Sequence, residues 1–448
     1  YPESRPLHKR RDSVPSGRID TKKGDRHNGA MSASFPRDLQ YFKFSLYGFL
    51  KNLRFFEPFL ILFFLEKGLT YFQIGALYAI REIATNILEI PTGVASDALG
   101  RRRTMVFSFI AYIISFVVFY AFSGFAIFAG AMIIFSFGEA FRTGTHKAMI
   151  FEYLKLHGWT DQKVHYYGHT RGWSQIGSAV SSLVAMVLVF YRGRYASVFL
   201  FSTIPYALDL LLMLTYPKEL DGTRSRITGS DFLPRFVSVV KDFIYSFRDP
   251  ALLKSILNLS LYTGYYKAAR DYLQPVLKTL ALSMPILVAV SAQKKTAVVV
   301  GVIYSIIYVI TSLTSRMAGR VTDHFRSLRG PMNLTLFVGP LMGAGAGLCY
   351  ALGSNVGAIA LYVGVYLVEN LRKPIGIAYV SDMMRSDILA TALSAESQAE
   401  TLVAAVVALL IGFFADRLQL GPGLLVVSLI VAVASIPAVI GSRRETEQ

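Results

Sequence analysis

The sequence predicts an all-α polytopic membrane protein of twelve helices in two six-helix halves, and three observations carry that prediction. Apolar runs of about twenty residues, the length a helix needs to cross a bilayer, recur from Tyr41 to Ile440. The loops between them alternate between strongly basic and sparsely charged. Short polar patterns of the first half return, in the same order, in the second. The composition agrees, because 53% of the residues are hydrophobic and only 17% charged. A soluble chain of this length would divide into domains with amphipathic helices.

Window hydropathy places the first six spans at about 43–66, 72–96, 104–124, 126–153, 164–191 and 195–216. The second six fall at about 251–279, 296–318, 331–352, 356–383, 389–415 and 421–441. These ranges set one bundle over 41–217, a linker over 218–250 and a second bundle over 251–442, with a short tail at 443–448. Residues 1–40 are basic, lack apolar periodicity and cannot bury enough surface to fold alone. No secretory signal is expected there. Met31-Ser-Ala-Ser offers a natural start, which leaves open whether residues 1–30 are native.

Charge sets the orientation. The tail, Arg101 to Arg103, the 218–250 linker, Arg326, Arg329, Arg443 and Arg444 fall on one side. The other side has little beyond Lys67, Arg192, Arg194, Lys294, Lys295 and Arg417. Positive charge marks the cytoplasmic face, so both termini are expected there, in a plasma (inner) membrane. The net charge of +17 then reflects anchoring to membrane lipids rather than a nucleic-acid partner. The one cysteine, Cys349, lies in an apolar span, so no intramolecular disulfide and no metal cluster are expected.

Between the second and third spans runs Gly93-Val-Ala-Ser-Asp97-Ala-Leu-Gly100-Arg101-Arg102-Arg103. It returns between the eighth and ninth as Gly319-Arg-Val-Thr-Asp323, followed by Phe325 and Arg326. Glu139-Ala-Phe-Arg142, with Ala148 and Glu152 beyond it, is matched by Glu369-Asn-Leu-Arg372 with Ala378 and Asp382 at the same offsets. Ser174-Gln175 has a weaker echo in Ser397-Gln398. The G-x-x-x-D-x-x-G-R-R-R pattern, at that place in the order of spans, resembles the signature loop of the major facilitator superfamily of secondary transporters. The resemblance covers nearly all of the chain from about Tyr41. It implies two parallel six-helix bundles that rock around a midplane site, with a cavity lined chiefly by the first, fourth, seventh and tenth helices. It also implies an inner gate of Gly93, Asp97, Gly100, Arg101, Arg102 and Glu152, with Gly319, Asp323, Arg326 and Asp382 as its counterpart. The second copy lacks the later glycine and the arginine triplet, which puts its gating role in doubt.

Charge inside a span is costly and usually faces a wet cavity or a partner. The first helix sets Tyr47, Lys51 and Arg54 on one stripe, with Glu57 beyond and Pro58 placed to kink the chain. The fourth carries Glu139, Arg142, His146 and Lys147, and the seventh Tyr262, Tyr266, Lys267, Arg270 and Asp271. The tenth aligns Tyr366, Glu369, Asn370 and Lys373, with Arg372 beside them. The substrate-binding candidates are Lys51, Arg54, Arg142, Lys147, Tyr262, Tyr266, Arg270, Tyr366, Asn370 and Lys373. Cations outnumber carboxylates on these helices, which points to an anionic or zwitterionic small molecule. Glu57, Glu139 and Glu369 are the proton-coupling candidates, since a nearby arginine makes protonation and solute binding compete. Glu139–Arg142 and Glu369–Arg372 read equally as neutralising i,i+3 ion pairs.

Other chemistry has little support. No P-loop is present, so ATP hydrolysis is not indicated, and no enzyme constellation or cofactor is expected. Asp161, His165 and His169 stand four apart but are too few for a metal. Two alternatives stay open: an efflux antiporter for amphipathic compounds and a non-transporting receptor or scaffold. Against the first, Gly177-Ser178-Ala179 lacks the Gly-Pro signature of the superfamily's drug exporters. A monomer is expected.

Overall fold

The structure, a computed structural model, describes residues 36–221, 250–285, 290–322, 325, 327–383 and 386–441. Every secondary-structure element among them is helical.

The first predicted span is broken. Helix α1 (Leu39–Lys51) starts where Asp38 accepts the backbone N–H of Tyr41 at 2.8 Å. It stops at Asn52, and a 3₁₀ turn over Glu57–Phe59 leads into α2 (Leu60–Glu66). Pro58, which has no N–H, sits inside that turn. Helix α3 (Tyr71–Leu99) opens on a capping box between Thr70 and Gln73. Then come α4 (Arg101–Ala121), α5 (Phe125–Arg142) and α6 (Thr145–Leu156). The last two are parted at Gly144, whose φ of +78° no branched residue would hold at low cost. Helices α7 (Lys163–Arg192) and α8 (Ser197–Leu214) complete the first half.

The second half runs α9 (Pro250–Ala269), a 3₁₀ turn over Arg270–Tyr272, and α10 (Leu273–Ser283). It continues with α11 (Ala292–Thr322), α12 (Arg329–Ala351), α13 (Asn355–Met383), α14 (Ser386–Leu418) and α15 (Leu420–Ala434). The helices expected to run unbroken over about 43–66, 126–153 and 251–279 are therefore each interrupted. The stripe of Tyr47, Lys51 and Arg54 does not exist as one helical face, because Arg54 lies past the end of α1.

Seven helical stretches among the described residues are long and apolar enough to cross a membrane. Their outward faces carry exposed Ile114, Leu211, Val309 and Leu313. Such faces suit a surrounding of lipid rather than water. Inside the first half, Phe63 meets Phe199 at 4.7 Å and Phe128 at 5.4 Å, and Phe119 meets Phe199 at 5.0 Å. These ring pairs, two tilted and one stacked, wedge the short α2 between α4, α5 and α8.

α4 packs on α5 and α8, α3 on α5, and α1 on α7. In the second half α9 packs on α14, and α12 on α13 and α15. Two seams join the halves, α3 with α14 and α7 with α11. The α3–α14 seam is tight: a Cβ on Gly75 would stand 2.3 Å from the carbonyl oxygen of Ala408. At the end of α3 remote from Arg101, the Asp416 carboxylate accepts the backbone N–H groups of Tyr71 and Phe72, each at 2.9 Å. Nearby, Gln274 accepts the N–H of Ile61 at 2.8 Å and donates to the carbonyl of Glu57 at 2.9 Å. The halves are thus stitched at that end by the Asp416 carboxylate on the first turn of α3 and by the buried side chain of Gln274.

Candidate functional site

Two cavities are lined by charged residues of the predicted spans, and the larger of these two, of about 270 Å³, lies between the halves where two of the helix breaks meet. Arg54, Glu57, Arg81, Glu82, Glu89, Glu139, Lys267, Arg270 and Asp271 line it, with Thr85, Asn86, Ser397 and Thr401 as neutral polar groups. The charges are wired across the gap. Arg270 Nη2 donates to Glu57 Oε1 at 2.9 Å, and Arg54 lies 3.9 Å from the same carboxylate. Arg54 also reaches Glu139 at 3.4 Å, and Glu139 takes short bonds from Arg142 and the Tyr112 hydroxyl. Lys267 bridges Glu400 at 2.5 Å and Glu82 at 3.7 Å, joining α9, α14 and α3. Tyr78 donates to Asp271 at 2.8 Å.

This corrects two expectations. The cavity is not cation-rich: four cations face five carboxylates, because α3 brings Glu82 and Glu89 and the 3₁₀ turn brings Asp271. Nor does the tenth predicted helix, α13, line it, whereas α3 and α14 do. The signal was in the sequence, since Glu82, Thr85, Asn86 and Glu89 recur at helical spacing on α3.

A second cavity of about 180 Å³ opens within the first half. Lys51, Arg142, Lys147 and Arg171 line it with Tyr47, His146, Tyr167 and Ser174. Arg142 therefore serves both places, with one face toward Glu139 and the other toward Lys51. Tyr47 and His146 stack at 3.6 Å and close one wall.

The remaining candidates line neither cavity. Tyr262 is fully buried and donates to the carbonyl of Val365 at 2.9 Å. Tyr366 donates to the Arg270 carbonyl at 2.9 Å and meets Tyr266 edge to face, so both brace the Arg270 turn. Asn370 donates to the carbonyl of Tyr366 at 2.9 Å, and Lys373 is exposed on α13. Glu369 is buried and accepts from Thr263 at 3.3 Å. It makes no ion pair with Arg372, contrary to the i,i+3 reading. That arginine is spent on Asn258, the Met332 carbonyl and Thr335 instead.

At the Arg101 end, Arg101 Nη1 lies 3.6 Å from Glu152 and donates to the Ala148 carbonyl at 3.4 Å. Asp221 accepts the backbone N–H of Arg102 at 2.8 Å, and Arg102 Nη1 donates to the Tyr216 carbonyl at 3.1 Å. Sequence reasoning missed Asp221, since an acid at the start of a polar linker carries no periodic signal. Gly100, with φ +94°, is the one place the loop can fold over it: a Cβ there would stand 2.9 Å from the Asp221 carboxylate. Gly319 lies exposed on α11. Asp323 and Arg326 lie outside the described residues, as do the side-chain placements at Gly93, Asp97 and Asp382.

Comparison with known proteins agrees with this architecture. A model of the Major Facilitator Superfamily matches residues 46–397. An uncharacterized MFS-type transporter, YxaM of Bacillus subtilis (strain 168), is 27% identical over 161 residues, 36% of each chain. The chain thus matches little more than a third of that curated relative's length. The crystal structure of the nucleoside transporter NupG superposes with a TM-score of 0.71 at 13% identity, covering 90% of this chain and 100% of that one. A POT family transporter in complex with 5-aminolevulinic acid gives a TM-score of 0.67 at 13% identity, covering 90% and 95%. At such identities the likeness is one of fold. The family model spans most of the chain, and the chain therefore belongs to the major facilitator superfamily of multi-pass membrane proteins.

Proposed function

We propose that the protein is a secondary active transporter of a small zwitterionic solute, working by alternating access of two six-helix bundles, residues 41–217 and 251–442. Window hydropathy supports twelve crossings, and the charge asymmetry of the loops supports both termini and the basic loops lying in the cytoplasm, at a plasma (inner) membrane. The observation that carries the substrate class is the lining of the larger cavity. Glu57 with Arg270 and Glu82 with Lys267 pair opposite charges across the two halves. A solute bearing an ammonium and a carboxylate exchanges these pairs for its own, charge for charge, so neither half is left with an unpaired buried ion. An exporter of amphipathic compounds would present apolar walls there.

Closure at the Asp416 end supports a rocking cycle that opens at the Arg101 end, and the family resemblance assigns Arg101, Arg102, Glu152 and Asp97 to the opposite closure. Coupling to protons would use a carboxylate whose cation partners change during that cycle: if the halves part, Glu57 loses Arg270 and keeps only Arg54 of its own half.

The test is a thermal-shift screen of the purified protein against amino acids and other zwitterions, organic anions and sugars, followed by counterflow of the best ligand in liposomes. Stabilisation by zwitterions and their counterflow are expected. Stabilisation by sugars alone overturns the substrate class, and lack of counterflow by every stabilising ligand overturns transport. Asp97→Asn is expected to abolish counterflow while leaving expression and melting temperature near wild type. Unchanged counterflow would falsify its gating role.

A further inference from the structure

The seam between α7 and α11 is closed over only part of its length. Toward the end of α7, the Lys294 ammonium lies 5.5 Å over the Phe190 ring. A Cβ on Gly301 would stand 2.4 Å from Met186 and 2.9 Å from the carbonyl oxygen of Ser182. In the other direction the two helices fork. Between them opens a third hollow, of about 450 Å³, walled by Trp173, Ile176 and Val180 of α7 and by Val309 and Leu313 of α11, with His169 and Arg316 at its mouth. Thr160, just ahead of α7, shares a further hollow with Arg101, so the fork opens toward the basic end of the molecule, which the loop charges assign to the cytoplasm.

The walls suit a hydrocarbon chain. His169, Trp173, Ile176 and Val180 recur at helical spacing, as do Val309, Leu313 and Arg316, so each helix turns a single stripe to the hollow. Ile176, Val309 and Leu313 are more than half exposed although they lie well inside apolar stretches. From His169 to Val180 the hollow runs about 16 Å, close to half the hydrocarbon thickness of a bilayer. Water against such walls is unfavourable, and acyl chains lie beside them.

The mouth suits an anion. Neither α7 nor α11 carries an Asp or Glu along its length, and both carry cations. Arg316 is exposed and makes no hydrogen bond or ion pair among the described residues. His169 and Arg316 each stand within about a turn of the end of an apolar stretch, Tyr166–Arg192 and Ala292–Gly319, which is the level of lipid headgroups. Trp173 sits about one turn deeper than His169, where an indole keeps its N–H toward the headgroups and its ring against the chain.

We propose that the fork is a binding site for one anionic phospholipid of the cytoplasmic leaflet, its phosphate held by Arg316 and one acyl chain lying between the α7 and α11 stripes. The lipid stands between the two halves, so it favours the form in which they are parted at that end and must withdraw before they close. This goes beyond the solute reading and does not rest on it.

The chain has two tryptophans, Trp159 and Trp173, which makes the test direct. In the full-length Trp159→Phe protein, Trp173 is the sole indole. Phosphatidylglycerol brominated along its acyl chains, added in detergent, should quench it with saturation near one lipid per protein. Phosphatidylcholine with the same brominated chains should need a concentration at least about fivefold higher, the factor that one cation near the surface adds for an anionic lipid. Arg316→Gln replaces an exposed, unpaired side chain, so it should leave the melting temperature unchanged and abolish the difference between the two lipids. Arg192→Gln removes an equal charge at the far end of α7 and should leave that difference intact. Glycerol phosphate, the headgroup without its chains, should not displace the brominated lipid even in excess. Equal quenching by both lipids, or a preference that survives Arg316→Gln, overturns the headgroup site. Displacement by glycerol phosphate overturns the acyl-chain groove and leaves a site for a free anion. Quenching that rises without saturating comes from lipid around the whole perimeter and overturns the site altogether.

Discussion

Arg372 is buried and Arg270 is half-buried, and the two do different work. Arg372 is 1% exposed, and its guanidinium is spent on Met332, Thr335 and Asn258 while stacking 5.4 Å over the Tyr262 ring. It ties α13 to α12 and α9. Arg372→Met leaves those acceptors buried and unpaired, and should cost about 3–5 kcal/mol, read as a lower melting temperature in detergent. Arg270 spends its charge on Glu57 across the two halves at 2.9 Å. Arg270→Gln should leave the melting temperature within a few degrees and reduce counterflow at least about tenfold. The swap of Glu57→Arg with Arg270→Glu should recover part of that loss, and no recovery would show that the pair is not what matters. The i,i+3 spacing made Glu139–Arg142 legible in the sequence. The same spacing misled at Glu369–Arg372, because the tertiary neighbours Asn258 and Thr335 outbid a local partner.

At the scale of elements, helical ranges were legible and their interruptions were not. Window hydropathy averages over about nineteen residues, so a break of a few residues is smoothed away. The breaks have local causes: Pro58 lacks an N–H, and Gly144 takes φ +78°. The consequence for the site was large. With α1 ending at Asn52, Lys51 goes to the smaller cavity and Arg54 to the larger one, though the sequence sets them on a single stripe. The Arg101 loop is more demanding still. Gly100→Val would meet both an adverse φ of +94° and the Asp221 carboxylate. It should destabilise by about 2–4 kcal/mol, read as a lower melting temperature, and Asp221→Gly in the same chain should relieve only the steric share.

At the scale of the molecule, the two halves meet along α3–α14 and α7–α11 and are pinned at one end by Asp416 and Gln274. Each carboxylate bond to a backbone N–H is worth about 1.5–3 kcal/mol, enough to move a two-state balance tenfold or more. Asp416→Ala should therefore populate the form open at that end. A cysteine at Thr85, with Cys349 replaced, reports on it: an impermeant thiol reagent added from the side opposite Arg101 should label it several-fold faster. Unaltered labelling would mean that the close contact of Gly75 with Ala408 decides closure without Asp416. The broken backbone beside the hollows has one more effect. Arg54 to Phe56 lie between the last turn of α1 and the 3₁₀ turn, outside any helical ladder and next to water-sized space. Deuterium should therefore reach their amides as quickly as those of a surface loop, deep in a protein whose neighbouring helices hold their hydrogens for hours.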